Sequence, residues 1–323
     1  MEFTKYTITG EDADRRIDRI VRRFLPDIEL SRVYQLVRKG LIRVDGIKVD
    51  PSDRSKAGQE LWIASGILLN SGKNNVPNAA EGPQETPNPA SGTENNRFMV
   101  IFENEDLLFI NKDAGISVHG ENGLDRLVPQ AETAKHSLSF RTGPLHRLDK
   151  ETTGILAFSR SLTGARWFSS AIEQRELEKY YLGIAEGNIP ETVTWRDTEE
   201  DGKAMVTIAE PVARGAFQNH EYTLVRFRII TGRKHQIRVQ SARHGHPLAG
   251  DTRYGSTRRE DGSYFLHARE LVFPANRIKG LPDRLFAPIP DRFAQRIAAL
   301  FGAESLAVLE RGVVYWKDND EHQ

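Results

Sequence analysis

Apolar positions near the start of the chain repeat at helical spacing. Ile17, Ile20, Val21 and Phe24 recur every three or four residues, which is the spacing of one face of a helix. Arginines occupy the other face of the same segment, and Pro26 is expected to end it. The pattern therefore predicts a short amphipathic helix with a basic outer face.

A second helix and a hairpin are predicted directly afterwards. Ser31 has the residue type of an N-cap, and the helix that it would start is expected to end at Gly40. Short apolar runs at 41–44 and 47–49 flank an Asp-Gly pair at 45–46, which favours the two-residue turn of a hairpin. The predicted order of this unit is helix, helix, hairpin.

Residues 70–96 mark the clearest boundary in the chain. The stretch has no aromatic residue, leucine or isoleucine and is rich in Pro, Asn, Gly, Ser and Glu. Such a segment cannot bury enough apolar surface to offset the entropy lost on ordering it. We therefore predict three parts: a small domain at 1–69, a flexible linker at 70–96 and a larger domain at 97–323.

The larger domain mixes short apolar runs with segments of helical periodicity. Strands are predicted at 98–103, 107–112, 180–184 and 222–230, and helices at 163–176 and 235–243. This mixture predicts an α+β fold around a mixed, largely antiparallel central sheet. The small αα-hairpin domain would precede it.

Composition and charge narrow the possible functions. The chain has 323 residues with 45 basic and 45 acidic side chains, so its net charge does not favour binding of nucleic acid. Any such binding would depend on basic residues that are clustered on one surface. The absence of cysteine excludes disulfides, thiolate catalysis and cysteine zinc sites. No segment approaches the ~20 apolar residues of a membrane helix, and the N-terminus lacks the apolar core of a secretory signal. A cytoplasmic protein without membrane contact is expected.

The most informative segment for chemistry is HRLDKETTGIL at 146–156. Arg147 and Asp149 are two residues apart, so their side chains point the same way if the segment is extended. One interpretation is an ordinary salt bridge within a loop, which stabilises little when exposed. The other is a carboxylate held in a fixed loop, with Thr-Thr-Gly at 152–154 making the turn.

Two further segments carry candidate functional residues. LEKYYLGIAEG at 177–187 reads as a strand, so only one of Tyr180 and Tyr181 can face a given pocket. TGRKHQIRVQSARHGHPLAGDTRYG at 231–255 is rich in cations and glycine. Its histidines, 235, 244 and 246, together with Asp251 raise the question of a metal, but they lack the i, i+4 spacing of a common zinc site. No metal is expected.

These segments together resemble the RluA-type family of pseudouridine synthases. The resemblance lies in the order of GISVH at 115–119, HRLDKETTG, EKYYLGIAEG, TGRKHQIR with GHPLAGDTRYG, and LHARELVF at 266–273. Residues 14–64 resemble an S4 domain, a small RNA-binding fold, through Ser31-Arg32, Arg38, Gly40, Val44 and Asp45-Gly46. Asp113, Thr153 and Gln240 depart from the residues that are usual in the synthase family.

The resemblance implies roles for four residues. Asp149 matches the catalytic aspartate, Arg147 the arginine that holds the uridine out of the RNA stack, Tyr181 the tyrosine that packs on the base, and Arg238 the cation that pairs with the aspartate. It also implies an enzyme without cofactor or metal that acts on structured RNA. Large-subunit ribosomal RNA is the expected substrate, transfer RNA the alternative, and a monomer the expected state.

The S4-like segment would supply a basic face for RNA phosphates. The candidate residues are Arg16, Arg19, Arg23, Arg32, Arg38 and Lys39. Solvation of two amphipathic helices would explain the same arginines equally well.

Two other classes of function stay open at this point. One is an RNA-binding or ribosome-assembly factor that has lost catalysis, which the presence of Asp149, Tyr181 and Arg238 argues against. The other is a glycosidase, which would need a second carboxylate about 5–9 Å from the first. Asp251 is the candidate for that second carboxylate.

Overall fold

The computed structural model describes residues 2–25, 28–70, 98–131, 137–257 and 263–310. The chain separates into two compact units. The first combines Met1–Asn96 with Val128–Gly143 and Arg160–Thr163, and the second comprises the rest. Pro26 and residues 71–96 of the predicted linker lie outside the described residues, and the division at 69 and 97 stays a prediction.

The first unit contains a four-stranded antiparallel sheet with helices packed on it. Its elements are β1 (Phe3–Thr7), α1 (Ile17–Phe24), α2 (Leu30–Arg38), β2 (Ile42–Val44), β3 (Ile47–Lys48), β4 (Glu60–Ala64) and α3 (Ser65–Asn70), with strand order β1-β4-β2-β3. The apolar faces of α1 and α2 are largely buried, and Ile20, Val21, Val33 and Val37 are fully buried. The predicted helices and hairpin are therefore present, completed by two strands that periodicity did not indicate.

The predicted start of the second helix was wrong by two residues. The backbone amides of Arg32 and Val33 both bond to the carbonyl of Glu29, at 2.9 and 3.0 Å. Glu29 is thus the N-cap and Ser31 lies inside the first turn. The hairpin turn is as expected, because Asp45 and Gly46 both adopt left-handed conformations with φ of 50° and 77°.

A buried carboxylate connects distant parts of the first unit. Asp12 is fully buried and accepts hydrogen bonds from the amides of Leu138 and Ser139, at 2.9 and 2.8 Å, and from the hydroxyls of Ser137 and Ser139, at 2.9 and 2.7 Å. The amide of Leu162 donates to Glu11 at 2.5 Å. Residues after position 97 therefore contribute to the same compact unit as the S4-like segment.

A ten-stranded sheet dominates the remainder of the described chain. Its strands are β5 (Met99–Glu103), β6 (Leu107–Lys112), β7 (Gly143–Pro144), β8 (Thr153–Ser159), β9 (Glu178–Glu186), β10 (Val193–Thr198), β11 (Ala204–Phe217), β12 (His220–Ile229), β13 (Leu266–Val272) and β14 (Arg284–Phe286). The main order is β10-β11-β12-β9-β13-β8-β6-β5, with β14 beside β13 and β7 beside β8. The predicted α+β fold with a mixed, largely antiparallel sheet is confirmed.

Five helices accompany these strands along the chain. They are α4 (Leu124–Ala131), α5 (Leu162–Glu173), α6 (Gln236–Arg243), α7 (Asp291–Phe301) and α8 (Ala303–Glu310). Phe168 of α5 packs on Phe109 of β6, and Phe293 of α7 packs on Phe265 beside β13. In the described part of the chain, no helix has the length and apolar character needed to cross a membrane.

The parallel pairing of β8 with β13 positions the site. Thr153 pairs with His267 and Gly154 with Ala268, so the segment before β8 lies beside the segment before β13. Gly154 has φ of 108°, and a Cβ atom there would lie 2.3 Å from the carbonyl oxygen of Ala268. Only glycine allows this close approach of the two backbones.

Candidate active site

Asp149 lies in a short loop that turns into β8. The amide of Thr152 bonds back to the carbonyl of Asp149 at 3.1 Å. The ammonium of Lys112 donates to the carbonyls of Asp113, Ile116 and Lys150, each at 2.8 Å. Burial lowers the pKa of Lys112 to about 8, so it remains an ammonium at neutral pH. These contacts fix the backbone that follows the carboxylate.

His146 anchors the start of the same loop. Its Nε2 accepts a hydrogen bond from the amide of Ala157 at 3.1 Å, and its ring stacks on Phe168 with centroids 6.0 Å apart. Burial, aided by the charge of Lys179, lowers the pKa of His146 to about 3. A neutral ring in these contacts supports the loop and is not a proton donor at neutral pH.

Arg238 of α6 is the buried cation beside Asp149. Its Nε and Nη2 donate to the two oxygens of Asp251 at 2.7 and 2.9 Å, and its Nη1 lies 3.4 Å from Oδ2 of Asp149. Burial alone would lower the pKa of Arg238, but the bonds and charge of Asp251 raise it above its ordinary value. The guanidinium is therefore always charged and is shared between two carboxylates.

Two tyrosines enclose this guanidinium. The ring centroids of Tyr264 and Tyr254 lie 4.2 and 4.8 Å from Cζ of Arg238, within the range of a cation–π contact. The hydroxyl of Tyr264 lies 3.1 Å from the hydroxyl of Thr152, next to the loop of Asp149. Burial raises the pKa of Tyr264 to about 12, so this phenol stays protonated.

His235 precedes α6 and faces the other oxygen of Asp149. Its Nε2 lies 3.6 Å from Oδ1 of Asp149, and its Nδ1 is 2.7 Å from the hydroxyl of Tyr254. Burial lowers the pKa of His235 although the charge of Asp149 opposes this. The two carboxylate oxygens are thus each approached by a different side chain of the same segment.

Tyr181 and Tyr180 lie on opposite faces of β9. Tyr181 is buried and lines the cleft at Asp149. Burial, together with the charge of Asp149, raises the pKa of Tyr181 well above its ordinary value. Tyr180 points away and packs under Arg226, whose Cζ is 3.6 Å from the ring centroid.

Arg147 does not form the loop salt bridge that the sequence left open. Within the described residues, the ion-pair partners of Asp149 are Arg238 and His235. Arg147 is exposed and lines the mouth of the cleft beside Asp149. The structure therefore agrees with the alternative of a carboxylate held by its surroundings in a fixed loop.

The cleft is large and predominantly basic. Its volume is about 740 Å³, and seven lysines and arginines line it against three carboxylates. The cations are Arg147, Arg175, Lys179, Arg228, Arg233, Lys234 and Arg238, and the carboxylates are Asp149, Glu173 and Glu178. A positive cleft on a neutral chain is a local site for a polyanion.

The histidines that raised the question of a metal have other partners. His244 stacks on Trp195 at 5.1 Å and bonds to Asp197 at 3.2 Å. His246 bonds to the carbonyl of Glu186 at 3.1 Å. Across the described ranges, no three His, Asp or Glu side chains are grouped as metal ligands would be.

The candidate RNA-binding residues of the first unit are mostly on its surface. Arg19, Arg23, Arg32, Arg38 and Lys39 are exposed. Arg16 differs, because its Nε and Nη2 hold the carboxylate of Asp18 at 3.1 and 2.7 Å. Partial desolvation and the charges of Arg141 and Arg15 lower the pKa of Arg23, so cations from distant parts of the sequence share this surface.

Several residues of the site were not predicted from the sequence. Lys112, Tyr254 and Tyr264 received no role, His235 was considered only as a metal ligand, and Asp251 was considered only as a metal ligand or second carboxylate. The available signal was their position in the sequence, since His235 lies in the motif TGRKHQIR, which ends at Arg238, and Tyr254 lies in the motif GHPLAGDTRYG that follows it. Spacing alone does not reveal that these side chains meet.

Two family patterns match the chain. Residues 15–61 match the S4 domain and residues 106–243 match RNA pseudouridylate synthase. Ribosomal large subunit pseudouridine synthase C of Vibrio vulnificus (strain CMCP6) is 28% identical over 323 residues, which cover 92% of this chain and 97% of that protein. Ribosomal large subunit pseudouridine synthase D of Xylella fastidiosa (strain Temecula1 / ATCC 700964) is 27% identical, with 91% of each chain covered.

A solved structure shares the fold. Human RNA Pseudouridylate Synthase Domain Containing 4 superposes with a TM-score of 0.51 at 23% identity, covering 65% of this chain and 93% of that one. At this identity the likeness concerns the fold alone.

Proposed function

This chain belongs to the RNA pseudouridylate synthase family and carries an S4 domain, and we propose that it isomerises specific uridines of large-subunit ribosomal RNA through Asp149. The two pattern matches confirm the family resemblance of its motifs. The substrate, the catalytic aspartate and the roles of its neighbours are the content of the proposal.

The reaction requires an ionised carboxylate next to the ribose. The bond from C1′ to uracil N1 breaks, the base rotates, and a bond forms from C1′ to C5, so no electrons are gained or lost. Whether the carboxylate attacks C1′ or removes the 2′ proton, it must be unprotonated. A guanidinium next to a carboxylate favours its charged form by direct attraction. The contact of Arg238 with Asp149 at 3.4 Å supports this role.

Tyr181 is proposed to pack on the target base. Its phenol stays protonated at neutral pH because burial raises its pKa. A neutral phenol offers an aromatic face and a hydrogen-bond donor, and it is a poor acceptor of the proton lost from C5. We therefore assign Tyr181 to binding and orientation of the base.

Arg147 is proposed to occupy the gap that the flipped uridine leaves in the RNA. Extruding a base costs a few kcal/mol, and a side chain that replaces the lost stacking offsets part of it. Arg147 is exposed at the mouth of the cleft, where it can reach RNA outside the pocket.

The basic cleft and the S4 domain would bind the RNA backbone. Seven cations against three carboxylates line the cleft, and the exposed arginines of α1 and α2 add a second basic surface. Binding should therefore weaken with salt although the chain is neutral. We further propose that the protein acts as a monomer in the cytoplasm, as the family resemblance implies.

The observation that carries the proposal is one carboxylate, Asp149, held between Arg238 and His235 at the end of a basic cleft. The test is Asp149→Asn, which should fold and bind ribosomal RNA but produce no pseudouridine. Asp113→Asn, at an exposed carboxylate nearby, is the matched control and should retain activity. Turnover by Asp149→Asn at the wild-type rate would contradict the proposal.

The substrate is tested in cells that lack the gene. Pseudouridine mapping of ribosomal and transfer RNA should show specific large-subunit positions that lose the modification and regain it only with the wild-type gene. Loss at transfer RNA positions alone would overturn the ribosomal substrate while keeping the reaction.

A glycosidase is disfavoured by a specific contact. The second carboxylate that such an enzyme needs would have been Asp251, but both of its oxygens are engaged by Arg238 and its side chain is only 2% exposed. It is therefore not available to a substrate.

A further inference from the structure

His235 adopts a backbone conformation that residues other than glycine rarely adopt. Its φ and ψ are 55° and 24°, in the left-handed region. Such strain persists only where the surroundings impose it, and it is concentrated at functional sites. The conformation turns the imidazole back from the start of α6 toward the loop of Asp149.

The two ring nitrogens face partners of different kinds. Nδ1 is 2.7 Å from the hydroxyl of Tyr254, and Nε2 is 3.6 Å from Oδ1 of Asp149. A lone pair on Nε2 would repel the carboxylate, so the proton belongs on Nε2. Tyr254 must then donate its hydroxyl proton to Nδ1, which fixes the tautomer.

The charges around the ring keep it neutral. Arg238, Arg253 and Lys234 face it as cations, and Asp149 is the facing carboxylate. Burial and the three cations lower the pKa of His235, and Asp149 opposes them without reversing the direction. A neutral N–H beside a carboxylate orients it without adding a second positive charge, which would make the carboxylate a weaker nucleophile and base.

We propose that His235, with its tautomer fixed by Tyr254, is a positioning residue that orients the carboxylate of Asp149 for attack on the ribose. The inference rests on the proposed function of Asp149. Arg238 approaches Oδ2 and His235 approaches Oδ1, so the plane of the carboxylate is set from both sides. The contact of 3.6 Å is longer than a hydrogen bond and is expected to shorten once RNA excludes water.

The experiment compares His235→Gly and Tyr254→Phe in the full-length protein on the ribosomal RNA substrate. Glycine suits the left-handed backbone, so His235→Gly removes the ring without adding strain. We expect kcat to fall about 10²-fold with KM within twofold, because misplacing a catalytic group by about 1 Å has that effect. Added imidazole should restore part of the lost rate. Tyr254→Phe should lower kcat about tenfold, since the tautomer is then no longer fixed.

Three controls separate the possible outcomes. His220→Gly, at an exposed hairpin position, should leave kcat unchanged. A wild-type protein that makes no pseudouridine would refute the proposed function itself. With active wild type and inactive Asp149→Asn, a kcat of His235→Gly within twofold of wild type would overturn this inference. A rise in KM alone, or a loss that imidazole does not reverse, would also overturn it.

Discussion

Two carboxylates share Arg238, and we expect their removal to destabilise the folded state to very different extents. Asp251 is 2% exposed and holds the guanidinium through bonds of 2.7 and 2.9 Å. Asp149 is 16% exposed and lies 3.4 Å from Nη1. Asp251→Asn should therefore destabilise the folded state strongly, and Asp149→Asn should change its stability little.

The magnitude follows from the burial of the pair. Removing one partner of a buried ion pair costs about 3–5 kcal/mol because the other charge is left uncompensated. Asparagine keeps the shape and one acceptor oxygen, so we expect the lower end for Asp251→Asn, about 3 kcal/mol. At 2–4 °C per kcal/mol for a unit of this size, the melting temperature should fall by about 6–12 °C. Asp149→Asn, with longer contacts and partial exposure, should cost less than about 1 kcal/mol.

Thermal unfolding followed by circular dichroism at pH 7 measures both variants directly. A melting temperature for Asp251→Asn within 2 °C of wild type would refute the argument that Asp251 compensates the buried guanidinium. An equal fall for the two variants would refute the division of roles between them.

Three further predictions concern stability. Asp12→Asn should cost about 2 kcal/mol through lost hydrogen bonds. Burial alone would raise the pKa of Asp12, but those hydrogen bonds hold it below its usual value. The wild-type protein should thus lose stability as the pH falls below the pKa of an aspartate in the unfolded chain, about 4. Denaturant titrations at several pH values should show a smaller loss of unfolding free energy at acid pH for the variant, and an equal loss would contradict this. Gly154→Ala should lower the melting temperature by at least 5 °C, at about 2–4 °C per kcal/mol, because its Cβ would meet the carbonyl of Ala268; an unchanged value would contradict the close approach. Burial lowers the pKa of Lys179, so wild-type stability should rise as pH approaches about 10.4. Lys179→Met should raise the free energy of unfolding by about 1 kcal/mol and remove that pH dependence. It should also weaken RNA binding in a filter assay. A lower free energy of unfolding would contradict the argument that burying this charge is costly.

The elements that could be predicted from the sequence are those with local causes. The helix at 17–24 and the turn at 45–46 depend on neighbouring residues, and both occur as expected. The start of α2 was misplaced because Ser31 is a good cap by residue type, whereas the chain makes its first helical bonds to Glu29. Cap preference is worth only about 1 kcal/mol, so packing of the helix overrides it.

The arrangement of the site could not be predicted in the same way. Sequence proximity favours Arg147 as the partner of Asp149, but the guanidinium that contacts Asp149 belongs to Arg238, 89 residues away. Asp12 likewise bonds to Ser139, 127 residues away. Such pairs form only in the tertiary fold, and local periodicity does not indicate them. The motif resemblance implied the pairing of Arg238 with Asp149, but not the contacts of Asp251 with Arg238 and of His235 with Asp149.

The electrostatics of the site reconcile two opposed requirements. A neutral chain needs a locally positive cleft to attract RNA, yet surplus positive charge at Asp149 would make it a weaker nucleophile or base in the proposed reaction. Asp251 neutralises the guanidinium of Arg238 through two of its nitrogens. His235 adds a donor without a charge. Asp149 therefore lies beside a cation that is already paired with Asp251, and the exposed cations of the cleft, Arg147, Arg175 and Lys234, remain available to the RNA backbone of the proposed substrate.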